Sequence, residues 1–140
     1  MVAPVRKVND GSDIFGVVDA LTRDMNLAAF ERVNISNAAG QSITAAQILA
    51  GYIERDGATG VSDALPTAAA FLALVPGMEV NDCRLLVIRN ANTGTLTLTA
   101  GTGFTIVGTA TIATVTTAIY MLRKTSSTAV TITRLIAAAY

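Results

Sequence analysis

Histidine and tryptophan are absent from this chain, and cysteine occurs once. Without imidazole, Ser-His-Asp and Cys-His nucleophile arrangements, histidine metal sites and imidazole acid–base catalysis are excluded together. A single thiol, Cys83, forms neither an internal disulfide nor a thiolate zinc site. At the head of an apolar strand it is expected to be a buried, unreactive side chain. Charged residues make up only 14% of the chain, against roughly 25% in an average soluble domain. Such an exterior is expected to be covered by protein, in the first instance by copies of itself, because large bare apolar patches invite aggregation. Seven aromatics, four Phe and three Tyr, are too few for the stacking grooves that bind nucleic acid or sugar.

Long apolar runs are missing too. The longest, Ala68 to Val75, stops at Pro76, far short of the roughly 18 to 20 residues that cross a bilayer. No apolar segment follows Met-Val-Ala-Pro-Val-Arg-Lys, so the expectation is a protein made and used in a cytoplasm, or released by lysis.

Carboxylates are the remaining chemistry. Asp10 with Asp13, Asp19 with Asp24, and Glu54 with Asp56 are the candidate pairs, and a glycosidase needs two carboxyl groups about 5 to 9.5 Å apart across a cleft. These lie in arm, helix and loop segments without aromatic platforms, and read as solvated surface acids. Asp10-Gly11-Ser12-Asp13 lacks the glutamate and spacing of a calcium loop, and Gly101-Thr102-Gly103 has neither the third glycine nor the helix of a dinucleotide site. Asn34-Ile35-Ser36 fits a glycosylation acceptor, which matters only in a secreted protein. The expectation is therefore no enzyme, no cofactor, no metal, no small-molecule substrate, no nucleic acid and no membrane.

Net charge is zero but divided. All ten acids and five cations lie in the first 82 residues, whereas Arg84, Arg89, Arg123, Lys124 and Arg134 follow with no acid. Five cations spread over three strands are not a nucleic-acid groove; the two halves of the fold, or neighbouring subunits, are expected to offset each other.

What is present is β pattern. In Thr95-Leu96-Thr97-Leu98-Thr99 a hydroxyl alternates with leucine, giving a watered face and a core face. The apolar run from Cys83 to Arg89 precedes it, and Asn90 to Gly94 holds residues that close hairpins; Gly101-Thr102-Gly103 is read the same way. Strands are predicted over 31–36, 48–55, 84–89, 95–100, 104–107, 109–113, 116–124 and 129–136. One short helix, Ala68 to Val75, is capped by Thr67 and ended by Pro76-Gly77; being apolar all round, it must be roofed over. Thr44-Ala45-Ala46-Gln47 suits a turn of helix. Residues 1–12 read as an extended arm, either frayed or added to a neighbour, and 13–30 as helical spacing or an irregular wrap. The predicted fold is mainly β: an antiparallel β-sandwich or jelly-roll-like domain over 41–140, with an N-terminal arm and wrapping segment over 1–40.

From Ile43 to Arg134 the order of motifs resembles small virion proteins of tailed bacteriophages, of the head decoration or cement type. The likeness runs through Thr44-Ala45-Ala46-Gln47-Ile48, Ile53-Glu54-Arg55-Asp56-Gly57, Leu65-Pro66-Thr67-Ala68-Ala69, Pro76-Gly77, Ile88-Arg89-Asn90, Ala100-Gly101-Thr102-Gly103 and Ala129-Val130-Thr131-Ile132. It covers about two thirds of the chain and omits the first 40 residues. It implies a homotrimer on the virion's outer capsid surface, assembled in the host cytoplasm, stabilising contacts between capsomers through the major capsid protein. Val2, Val5, Arg6 and Lys7 are the expected capsid contacts, and Phe71, Leu72, Val75 and Tyr140 the expected subunit interface. The alternative is a head- or tail-fibre-associated adhesion module binding host surface glycans.

Overall fold

Leu96 and Leu98 are buried while Thr97 is half-buried and Thr99 exposed, as the alternation of that stretch predicts. The computed structural model describes residues 30–140, so Val2, Val5, Arg6, Lys7 and the arm lie outside the described residues. The described chain is mainly β, with nine strands: β1 (Glu31–Ser36), β2 (Gly51–Asp56), β3 (Val61–Ala64), β4 (Cys83–Asn90), β5 (Leu96–Thr99), β6 (Phe104–Val107), β7 (Thr111–Ile112), β8 (Thr116–Ser126) and β9 (Ala129–Ala139). Two short helices, α1 (Ala45–Ala50) and α2 (Ala68–Ala73), complete it. One compact unit runs from Arg32 to Tyr140.

Strand order is β1-β2-β4-β8-β9-β6 in a six-stranded sheet and β3-β5-β7 in a three-stranded one. Both sheets are mixed, which corrects the antiparallel expectation. β2 with β4, β3 with β5 and β6 with β9 run parallel, whereas β4 with β8, β8 with β9 and β5 with β7 run antiparallel. The cause lies in the connections. Consecutive strands β4 and β5, expected to form a hairpin through Asn90–Gly94, belong to different sheets, as do β5 and β6. Buried Asn90 fixes the first crossing: its Nδ2 donates to the carbonyls of Gly94 (2.9 Å), Ile112 (2.8 Å) and Ala113 (3.0 Å), and its Oδ1 accepts from the Asn92 amide at 3.0 Å. With both its polar atoms bonded, this side chain holds the turn to β7, while β4 pairs with β8.

The turn of helix expected at 44–47 runs on to Ala50, so the strand expected from residue 48 begins at Gly51. Thr44 Oγ1 accepts from the Gln47 amide and Gln47 Oε1 accepts from the Thr44 amide, a capping box that starts α1. Gly51, in the left-handed region at φ 89°, stops it and turns the chain into β2. Thr67 caps α2 by accepting from the Ala70 amide at 3.1 Å. Ala68, Phe71 and Leu72 of α2 are buried, but its other side is the exposed Ala69, Ala70 and Ala73, so methyl groups meet solvent and no roof is needed.

One core joins side chains from both sheets and both helices. It includes Leu86, Ile88, Tyr120, Leu122 and Ile132 from the large sheet, Leu96, Leu98 and Ile112 from the small one, and Ile48, Phe71 and Leu72 from the helices. Phe71 and Phe104 meet edge to face with centroids 6.1 Å apart. Tyr120 is wholly buried and its hydroxyl has no hydrogen-bond partner among the described residues; burial pushes the phenol's pKa up, and nearby Arg134 draws it partly back. An unpaired buried hydroxyl costs about 1 to 3 kcal/mol. Tyr120→Phe is therefore expected to raise the unfolding midpoint in urea, by a gain of about 1 kcal/mol; a loss of stability would show that the hydroxyl is bonded.

Candidate interaction surface

Alternation on β4 and β8 sends Leu86, Ile88, Ala118, Tyr120 and Leu122 inward and leaves Leu85, Val87, Ile119 and Met121 on the opposite face. Cross-strand register carries this outward set over four strands. Tyr52 on β2 lies beside Val87 on β4, Val87 beside Ile119 on β8, and Ile119 beside Ile136 on β9. The next row is Leu85, Met121 and Thr133. A bulge between Ile119 and Tyr120 adds Leu135 to the β9 side. Ile136 is 56% exposed, Leu135 52% and Leu85 48%. Where threonine was expected to face outward across the later strands, it does so in β5 and at Thr131 and Thr133, but the middle of the large sheet is aliphatic.

One end of this face is closed by charge that is already matched. Glu54, expected to be a solvated acid, is 6% exposed. It accepts hydrogen bonds from Arg32 and Arg89 and from Asn34 Nδ2, the last at 3.2 Å. The Arg32 bond holds its carboxyl below the ordinary range, against a desolvation that raises it, and Arg89 lowers it further. Asp56 is also lowered, by the neighbouring Ser36 side chain and by Asn34, whose Nδ2 donates to it at 3.2 Å. Arg89 lies over the Tyr140 ring at 4.0 Å, a cation–π contact that also fixes the guanidinium. The Glu54–Arg89 pair is one place where the basic second half offsets the acidic first.

Both carboxyl pKa values are depressed on folding, so their stabilisation is complete above the unfolded values near 4 and is lost as pH falls through the folded ones. The melting temperature is expected to fall below about pH 5. Glu54→Gln should flatten part of that fall, and an unaltered acid limb would remove Glu54 from the account.

Tyr140 is held by its own chain: its hydroxyl donates to the Asn90 carbonyl and its amide to the Val115 carbonyl, each at 3.1 Å. Half of it stays exposed beside Val115, a β-branched residue at φ 52°. The other expected interface residues separate from it. Phe71 and Leu72 are in the core and cannot meet a second subunit directly, and Val75 is half-buried at a recess.

That recess, about 360 Å³, is lined by Val75, Gly77, Met78, Asp82, Cys83 and Arg84. Asp82 there is spent on the Glu79 amide at 2.8 Å. Cys83, expected to be buried, is exposed, because it lies on the outward side of β4. Among the described residues no three acidic or thiol groups converge as metal ligands.

Sequence reasoning missed Glu54, Arg89 and the apolar rows because they depend on parallel β2–β4 pairing between residues 35 apart. Outward Leu85 and Val87 were visible only as parts of an apolar run. The chain matches no family model, and comparison with curated proteins and with solved structures finds no significant match.

Proposed function

We propose that this chain is a structural protein of a tailed-bacteriophage particle, a decoration or cement protein that works by being covered. It binds the outer surface of the capsid shell, touches the major capsid protein and neighbouring copies of itself, and strengthens contacts between capsomers. The two sheets serve as the layers of a sandwich-like body, stiff enough to carry load. Assembly takes place in the host cytoplasm, on the completed shell.

The observation that carries this reading is the aliphatic outer face of the six-stranded sheet, beside which Glu54 is already matched by two arginines. A solvated enzyme surface gains nothing from such a face, whereas a face that joins proteins gains by burying it without desolvating free charge. Repetition over a shell adds avidity, since each further contact forms at high effective concentration.

Counting the chain in purified particles by gel density tests the proposal. Hundreds of copies per particle, lost with the head, are expected. A handful of copies, lost with the tail, would replace it with the fibre module, and recovery only in the soluble fraction would remove any virion role.

A further inference from the structure

The same outer face has a register that fits itself. We propose that a second copy of this chain covers it, packed face to face about a two-fold axis that runs parallel to the strands between β4 and β8. This inference rests on the reading of the chain as a self-assembling structural protein, and it names the surface used.

Rotation about that axis lays β4 on the partner's β8 and β2 on the partner's β9. Residues level in the cross-strand register then meet in order. Val87 meets the partner's Ile119, Leu85 the partner's Met121, and Tyr52 the partner's Ile136. In the flanking rows Arg89 meets the partner's Thr117, Glu54 the partner's Ala138, and Cys83 the partner's Arg123. Apolar side chains meet in these central pairs, and in the flanking rows no charge lies directly opposite a like charge. A two-fold interface needs this self-complementarity, since one patch serves both partners. An axis along the Val87–Ile119 row would instead set the Glu54–Arg89 end against Leu85 and Met121.

Area sets the strength. Four strands about 4.8 Å apart and three or four rows of alternate residues span roughly 20 Å by 20 Å. Counted over both copies, that lies near or below the lower end of specific interfaces, about 1,200 Å². Dissociation on the order of micromolar is expected. The assembly unit is then even-numbered, in place of the trimer that the family likeness implies.

Sedimentation equilibrium of the full chain from 1 to 100 µM, about the range that brackets this affinity, tests the proposal. Twice the 14.4 kDa chain mass is expected at the upper end. Val87→Glu and Ile119→Lys should each raise the dissociation constant about 100-fold or more, with the far-ultraviolet circular dichroism unchanged because both side chains are on the outer face. Leu74→Lys, which alters an exposed leucine after α2, should leave it unchanged. An equimolar mixture of the Val87→Glu and Ile119→Lys chains should recover the dimer, because the axis places glutamate against the partner's lysine. A monomer, a trimer, or a dimer indifferent to both substitutions overturns the inference, and so does failure of the mixture to recover. Failure here is separable from failure of the virion role: a monomeric chain present in hundreds of copies per head keeps that role, and a dimer absent from particles keeps only this interface.

Discussion

Arg55→Met is expected to be among the most destabilising single substitutions in this fold. Arg55 is 1% exposed, and its partner Asp63 is fully buried. Its Nε donates to Asp63 at 2.7 Å, its Nη1 to the carbonyls of Ile35, Asn37 and Asp56, and its Nη2 to that of Ala39. Asp63 in turn accepts the Gln41 amide at 2.8 Å. One guanidinium therefore ties the end of β1, the 37–41 connection, β2 and β3 together. Removing one member of a buried pair costs about 3 to 5 kcal/mol, because the other charge is left without compensation. Against a total stability of roughly 5 to 15 kcal/mol, that is about a fifth to the whole of what holds a small domain. The melting temperature should fall by about 15 °C or more, and a fall of under 5 °C would contradict the assignment.

Two companion variants separate the causes. Arg55→Lys keeps the charge but offers an ammonium in place of a planar fork, and so should recover only part of the loss. Arg55→Met combined with Asp63→Leu should be less unstable than Arg55→Met alone, since the stranded carboxylate is gone. If the double variant is the worse of the two, packing and not charge accounts for the effect.

Gly94→Ala should be nearly as damaging, for a steric reason. A Cβ at Gly94 would lie 1.4 Å from the Thr59 carbonyl oxygen and 2.5 Å from its carbon. The obstacle is backbone, so no rotamer relieves it, and the turn that carries the chain from β4 to β5 must open. Forced overpacking costs about 1 to 3 kcal/mol and sometimes more; here the upper end applies, because Asn90 also donates to the Gly94 carbonyl. Gly77→Ala is the matched control: a Cβ there meets nothing within 4 Å, and its effect should stay within about 0.5 kcal/mol. Urea unfolding of the three proteins reads the difference. Equal stabilities for Gly94→Ala and Gly77→Ala would show that the turn is not a close approach.

These residues also show what the letters reveal and what they conceal. Thr95–Thr99 shows its buried face because alternation is local. The cap at Thr67 and the Thr44–Gln47 box are equally local, and both start helices. Asn90–Gly94, by contrast, holds turn-forming residues whether it closes a hairpin or crosses between sheets. What decides is Asn90 reaching Ile112 and Gly94 backing on Thr59, and neither is near in sequence. Arg55 and Asp63 are eight residues apart, yet nothing local says that both are buried. The apolar outer face was hidden for a related reason: a strand apolar on both sides reads as wholly interior until its neighbours are known.

Both proposals, assembly and function, depend on that outer face being covered, and hydroxyl-radical footprinting of the full chain tests it most directly. Oxidation of Met121 and Ile136 should fall as protein concentration rises and fall further on purified heads, while Leu74 oxidises throughout at a constant rate. Equal oxidation of Met121 and Ile136 at every concentration and on heads alike would mean that the face stays in water, and would contradict the account.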